Sequence, residues 1–352
     1  MKKSGRRKLV LVGTGVVHTF KYLDLIASYF DEILLITDKP KPDLKVKQVT
    51  FDFSLRSPLQ ITAKINKLRT AIEDFNPDIV HVHQANSCAF YTIKACNKKY
   101  PLVVTAWGSD ILSTPSKGFL YRKMLKYILK NADCFTSDAL FMANEMRRMA
   151  GKKHLEILVA NFGIDITPTP LEKEDLIYSN RQLTSLYRID KIIELFNDFV
   201  SSDGKHRHWK LAIAATGPEE SKLRDIVKRN HLEDSVQFYG WVDKVMNSNL
   251  YAKAKIYISI PESDATSISL LEAMASGCLP VVSDLPANRE WIRDGVNGII
   301  YKEELGNPFL RALAIDAGTA TAMNKEIIDT EGTKEANKEK FIAMYENMLN
   351  GK

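Results

Sequence analysis

Short runs of branched apolar residues recur along this chain, each followed by a stretch of helical period. That alternation restricts the fold more than any other feature, because it calls for parallel sheets with helices on both faces. Residues 8–12, 33–37, 79–83, 102–105, 134–137 and 157–160 form one set, with helical patterns such as 59–75 and 139–150 between them. A second set follows the segment Thr167-Pro168-Thr169-Pro170: 176–179, 210–215, 236–239, 256–259, 279–283 and 298–301. The fold class expected is α/β, two doubly wound Rossmann-like domains with a cleft between them.

Of all the stretches, Pro261 to Trp291 (PESDATSISLLEAMASGCLPVVSDLPANREW) is the densest in chemistry. Pro261 ends a short buried strand; Asp264, Thr266 and Ser267 then occupy a loop and the N-cap position of a helix over roughly 268–276. Gly277 supplies the left-handed stop. A helix that starts at a strand's C-terminal end offers free N–H groups and a positive dipole end, which suits a phosphate. Glu272 stands in an otherwise apolar helix, roughly 7–8 Å along the axis from Ser267 at 1.5 Å per residue. Asp264 and Glu272 are therefore placed to hold opposite ends of an elongated ligand, not to share a proton. A nucleotide sugar has that shape.

Asp264, seven residues and Glu272, then AMASGCLPVVSD, Glu290-Trp291, Gly295 and Asn297-Gly298, resemble the signature of family 4 retaining glycosyltransferases. In that family the first acid is usually Glu; here it is Asp. The resemblance implies the GT-B fold of two facing Rossmann-like domains. Residues 1–166 would form an acceptor-side domain, 167–175 a hinge and 176–330 the nucleotide-sugar domain. A C-terminal helix within 331–352 would return to the first domain, with Phe341, Met344, Tyr345 and Leu349 on its apolar stripe.

By the same resemblance, catalytic work falls to Arg181, Asp264 and Asp110, and Arg181 would meet the donor pyrophosphate. The family's following Lys is absent from its place, where Tyr187 and Arg188 stand, so Arg188 is the replacement candidate. Donor binding is implied for Glu272, Gly217, Thr266, Ser267, Ile268 and Trp241. The segment Thr105-Ala106-Trp107-Gly108-Ser109-Asp110 resembles one in which His precedes Gly-x-Asp; Trp107 replaces that His, as either a stacking face or a packed ring.

Gly13-Thr14-Gly15 follows the first strand and lacks the third glycine of a dinucleotide fingerprint, so it is either a tight turn or a ligand loop. His81 and His83 share one face of a strand end, as structural histidines or as acceptor contacts. No carboxylate or thiol stands at ligand spacing from them, and no metal or cofactor is expected. Gly13, Gly15, His83 and Trp107 make up the acceptor-side set.

At 352 residues and net charge +6, the chain has room for two domains, and its charge suits nucleic acid, anionic lipid or phosphorylated ligands. Nucleic acid is disfavoured because the basic residues are not interleaved with stacking aromatics. No apolar run is long enough for a membrane span, a signal peptide is not expected, and Cys88, Cys96, Cys134 and Cys278 form no C-x-x-C pair. A cytoplasmic protein with reduced thiols is expected. Ser116 to Lys130 (SKGFLYRKMLKYILK) reads as a basic amphipathic helix, either a solvated face over a buried stripe or a contact with the inner membrane surface.

Together these readings predict a metal-independent hexosyltransferase that takes a UDP- or GDP-sugar and acts on a glycan or lipid-linked acceptor. The rival readings are a nucleotide-sugar 2-epimerase and a non-catalytic sugar-nucleotide-binding subunit.

Overall fold

A computed structural model describes residues 7–112, 118–166, 171–202 and 204–351. The chain divides into two compact units, one of residues 1–162 with 334–352 and the other of 163–333. Residues 167–170 of the expected hinge at 167–175, and the first two residues of the basic segment, Ser116 and Lys117, lie outside the described residues.

In the first unit, β1 (Lys8–Val12), β2 (Glu32–Thr37), β3 (Lys47–Thr50), β4 (Ile79–His83), β5 (Leu102–Ala106), β6 (Cys134–Ser137) and β7 (Ile157–Val159) form one sheet. Its order is β3-β2-β1-β4-β5-β6-β7 and every pairing is parallel. The helices are α1 (Val17–Ile26), α2 (Pro58–Phe75), α3 (Ser87–Cys96), α4 (Ser109–Leu112), α5 (Phe119–Asn131) and α6 (Leu140–Ala150). The boundaries have local causes. Ser57 accepts from the Gln60 amide to open α2, Pro58 stands at its first position, and Asn76 closes it with φ +50°. Strand β3 has no counterpart in the sequence reading: three of its residues, KQVT, are polar and none is buried at the sheet edge, so no apolar run announces it.

The second unit holds β8 (Glu174–Ser179), β9 (Lys210–Ile213), β10 (Val236–Phe238), β11 (Ala254–Ser259), β12 (Leu279–Ser283) and β13 (Ile299–Tyr301). Their order, again all parallel, is β10-β9-β8-β11-β12-β13. Its helices are α7 (Ile189–Ser201), α8 (Glu220–Arg229), α9 (Lys244–Lys253), α10 (Ile268–Ala275), α11 (Pro308–Leu313) and α12 (Ala317–Ile327). The last helix, α13 (Lys334–Asn350), belongs to the first unit. There Phe341 and Tyr345 are fully buried, and Phe341 meets the Tyr22 ring edge-on at 4.8 Å.

Both units are therefore Rossmann-like, and in each the strand order reverses at one point: between β1 and β4, and between β8 and β11. Loops leaving neighbouring parallel strands at such a point diverge to opposite faces and open a crevice for ligands.

Candidate functional site

In the second unit, β8 and β11 run side by side, so their C-terminal loops meet although they are some eighty residues apart in the chain. The β8 loop carries Arg181 and the β11 loop carries Asp264 and Ser267. Arg181 donates from one terminal nitrogen to Ser267 Oγ at 2.5 Å and from the other to Asp264 Oδ2 at 2.7 Å. Its guanidinium lies 4.4 Å from the centre of the Tyr187 ring. Burial works to lower the basicity of Arg181, but Tyr257, Asp264 and Tyr187 together outweigh it and hold the cation firmly charged. For Asp264, burial pushes the carboxyl up; Arg181 and the Ala265 amide pull back without cancelling it.

Ser267 is the N-cap residue of α10 by backbone position, yet its side chain makes no cap bond and its hydroxyl is given to Arg181. The sequence thus opens this helix with a cation fastened at its positive end, beside the half-buried Thr266 and Ile268. A paired Arg and a helix N-terminus are both suited to a diphosphate. One turn on, Glu272 is half-buried between the buried Leu271 and Ala273. Burial raises the phenols of Tyr178, Tyr251 and Tyr257, and the charge of Glu272 adds to that rise. Gly277 follows α10 with φ +72°, the conformation its position calls for.

The loop after β9 is packed on the β8 loop through Gly217. A Cβ there would come within 2.4 Å of the Leu183 carbonyl oxygen, and the Glu219 amide donates to that same oxygen at 3.0 Å. Arg188 adopts φ +52° at the start of α7 and its charge reaches Tyr301. Trp241 stands apart from the Arg181 cluster, 80% exposed after β10. Sequence reasoning missed Asn180, Asn247 and the phenols of Tyr178, Tyr251 and Tyr257, which are bonded together beneath this site. The tyrosines read as ordinary core, and only the place of Asn180 beside Arg181 marked it.

In the first unit, the glycine loop is a tightly packed turn. A Cβ on Gly13 would meet Thr19 Oγ1 at 2.8 Å, one on Gly15 would meet Lys39 Cβ at 2.4 Å, and the Gly15 amide donates to Asp38 at 2.6 Å. His81 and His83 do share a strand face, with ring centres 4.9 Å apart, but both are buried. His81 is bonded to Tyr345 Oη and Thr105 Oγ1, each at 2.6 Å. His83 accepts on Nδ1 from the Trp107 indole N–H at 3.1 Å, and its buried Nε2 has no partner among the described residues. Trp107 meets His18 at 5.4 Å and Phe162 at 4.6 Å, and those two rings stack on each other at 5.3 Å, so it is a packed ring in this three-ring cluster.

Asp110 is buried, with Oδ2 accepting from the Ala85 amide at 2.7 Å and Oδ1 from the Trp107 amide at 3.1 Å. Burial raises its pKa while these amides oppose the rise. That geometry staples the loops after β4 and β5, where the sequence suggested a catalytic group. Among the described residues, no group of three or more His, Cys, Asp or Glu is placed to hold a metal ion.

Residues 8–139 match the glycosyl transferase 4-like family, and residues 164–315 match glycosyl transferases group 1. The N-acetyl-alpha-D-glucosaminyl L-malate synthase of Bacillus anthracis is 25% identical over 325 residues, covering 84% of this chain and 81% of that protein. Two solved structures share the fold. A Rickettsia africae glycosyltransferase has a TM-score of 0.82 at 14% identity, covering 99% of this chain and 100% of its own. Anabaena Alr3699/HepE in complex with UDP has a TM-score of 0.80 at 14% identity, covering 97% of this chain and 100% of its own. Two matched families spanning most of the chain, and the fold these structures share with it, lead to one assignment: the chain belongs to the family 4 glycosyltransferases, with a GT-B fold.

Proposed function

We propose that this glycosyltransferase moves a hexosyl group from a UDP- or GDP-sugar to an acceptor hydroxyl with retention of configuration, in the assembly of a bacterial cell-surface polysaccharide or another glycan. One observation carries the reading: Arg181 is fastened by Ser267 and Asp264 at the N-terminus of α10, one turn from Glu272. In this reading the diphosphate lies at the helix start, Glu272 takes the ribose hydroxyls and Asp264 approaches the sugar. Arg181 retains N–H donors beyond the two already used, so phosphate oxygens can share it without breaking the pair. UDP is the nucleotide in the HepE structure and a glucosaminyl group is in the name of the B. anthracis relative, which makes UDP-sugars the first donors to test.

The reaction proposed is front-face displacement. The bond from the anomeric carbon to the diphosphate oxygen breaks, the acceptor oxygen bonds to that carbon from the same face, and the acceptor's proton passes to the departing phosphate oxygen. Arg181 and the helix dipole stabilise the charge that grows on the leaving group, each contact contributing roughly 2–4 kcal/mol to the barrier. With that positive charge supplied by the protein, no metal is required by the scheme. The first unit carries the acceptor-side residues, and α5 is proposed to bring the enzyme to an anionic inner-membrane surface.

Steady-state kinetics over a panel of UDP- and GDP-sugars test the site. Glu272→Ala is expected to raise donor KM strongly, and Arg181→Ala to lower kcat about 10²- to 10³-fold. If both variants turn over near the wild-type rate and KM, the donor does not bind here.

A further inference from the structure

Beneath the Arg181 loop lies a partly buried polar network that none of the roles above employs. Asn180, the residue before Arg181, donates from Nδ2 to Tyr251 Oη at 2.8 Å and to Asn247 Oδ1 at 3.2 Å. Its Oδ1 accepts from Tyr257 Oη at 3.2 Å. Tyr251 Oη in turn donates to the Ser269 carbonyl at 3.1 Å, and Tyr178 Oη donates to Asn247 Oδ1 at 2.6 Å. The three tyrosines are buried and in mutual ring contact, at 5.0, 5.6 and 6.3 Å.

The polarity of this network is set by its ends. A carbonyl can only accept, so Tyr251 must donate to Ser269 and accept from a nitrogen, which only the amide side of Asn180 provides. Residue 180 must therefore present two donors and one acceptor from a short side chain. One amide thus ties the β8 loop to α9 through Asn247, to β11 through Tyr257, and through Tyr251 to the first turn of α10. The β8 loop and the start of α10 are the two elements between which Arg181 is suspended: its own backbone follows Asn180, and its anchor Ser267 lies two residues before Ser269.

We propose that Asn180 is a positioning residue for the donor diphosphate: through Tyr251 and Tyr257 it holds the Arg181 loop in register with the start of α10, so the guanidinium and the helix amides converge on one phosphate position. The inference rests on the proposed donor site. Loss of Asn180 leaves Arg181 charged and present but free to drift from the helix end, and a misplaced fork binds a diphosphate less well.

The test is calorimetric binding of UDP, GDP and uridine to the full chain, wild type against Asn180→Ala, Tyr251→Phe, Arg181→Lys and the double variant Asn180→Ala/Arg181→Lys. Tyr251→Phe keeps the ring packing and removes the Tyr251 hydroxyl's bond to the Ser269 carbonyl, so it serves if Asn180→Ala folds poorly. Expected is about a tenfold weaker Kd for the diphosphate in each single variant, with uridine binding unchanged. In the Arg181→Lys background the Asn180→Ala effect should shrink below about threefold, because a lysine lacks the fork to be aligned. Equal factors in both backgrounds, equal loss of uridine and UDP, or wild-type affinity in Asn180→Ala would each overturn the inference. If Arg181→Lys weakens UDP while Asn180→Ala and Tyr251→Phe do not, only the positioning role fails. Wild-type protein that binds neither UDP nor GDP ends both the inference and the donor site beneath it.

Discussion

Two acids that look alike in the sequence as sugar-contacting carboxylates have different employments. Asp264 is partly exposed and shares Arg181 with Ser267. Asp110 is closed in, with both oxygens on backbone amides. Replacing it by Asn turns one acceptor into a donor that faces an amide N–H, leaving two buried donors opposed. The expected cost of Asp110→Asn is about 1–3 kcal/mol of stability. Nucleotide affinity should be unchanged, since no donor group depends on it. Thermal melts beside UDP titrations decide this; a stable variant with lost turnover would return Asp110 to the catalytic set. Most of the residues singled out in the sequence stand at or just beyond the C-terminal end of a parallel strand, where spacing and residue type are informative, with Glu272 farther on, inside α10. Asn180 and its tyrosines were not visible because a hydrogen bond between residues 71 positions apart leaves no local pattern.

Helix α10 was readable nearly to the residue, since Ser267 precedes it and Gly277 stops it. Strand β3 was not, because an edge strand needs no apolar face. Helix α5 shows what the sequence left open between a solvated face and a membrane contact. Leu125, Ile128 and Leu129 are buried, which satisfies the stripe, yet Phe119 and Leu120 at its start are 62% and 78% exposed. Tyr121, Arg122 and Lys123 beside them are also exposed. Apolar rings next to cations favour an anionic lipid surface, whose attraction is worth about 1 kcal/mol per basic residue near it. The protein should float with vesicles containing one-third phosphatidylglycerol and stay behind with pure phosphatidylcholine. Phe119→Ser/Leu120→Ser should lose that binding without a change in melting point. Equal flotation of the double variant would assign α5 to packing alone.

For the molecule as a whole, the alternation of strands and helices carried the two-unit reading, whereas the partners of its polar core had to be seen. In the first unit, burial holds His81 down at about 3, and burial with the neighbouring His81 and His18 holds His83 well below its ordinary value. Both folded values lie below the unfolded value of about 6.5, so on acidification the unfolded chain takes up protons first. The stability this provides is complete above about pH 6.5 and is lost as the pH falls toward 3, at roughly 1.4 kcal/mol per pH unit for each histidine. Hydrogen exchange at the β4 amides should therefore quicken, after correction for intrinsic rates, between pH 7 and 5. A His81→Asn variant should show a shallower dependence. Corrected protection that stays flat over that range in the wild type would show that these rings are not held neutral.

The hydroxyl of Tyr345 on α13, joined to Tyr22 and His81, is the last stitch in the first unit. That unit is made from both ends of the chain, whereas residues 163–333 are continuous. During synthesis the order is thus inverted: the lobe begun second is the first whose residues are all available. The lobe begun first must wait, with the pocket for Phe341 and Tyr345 unfilled, until α13 has left the ribosome.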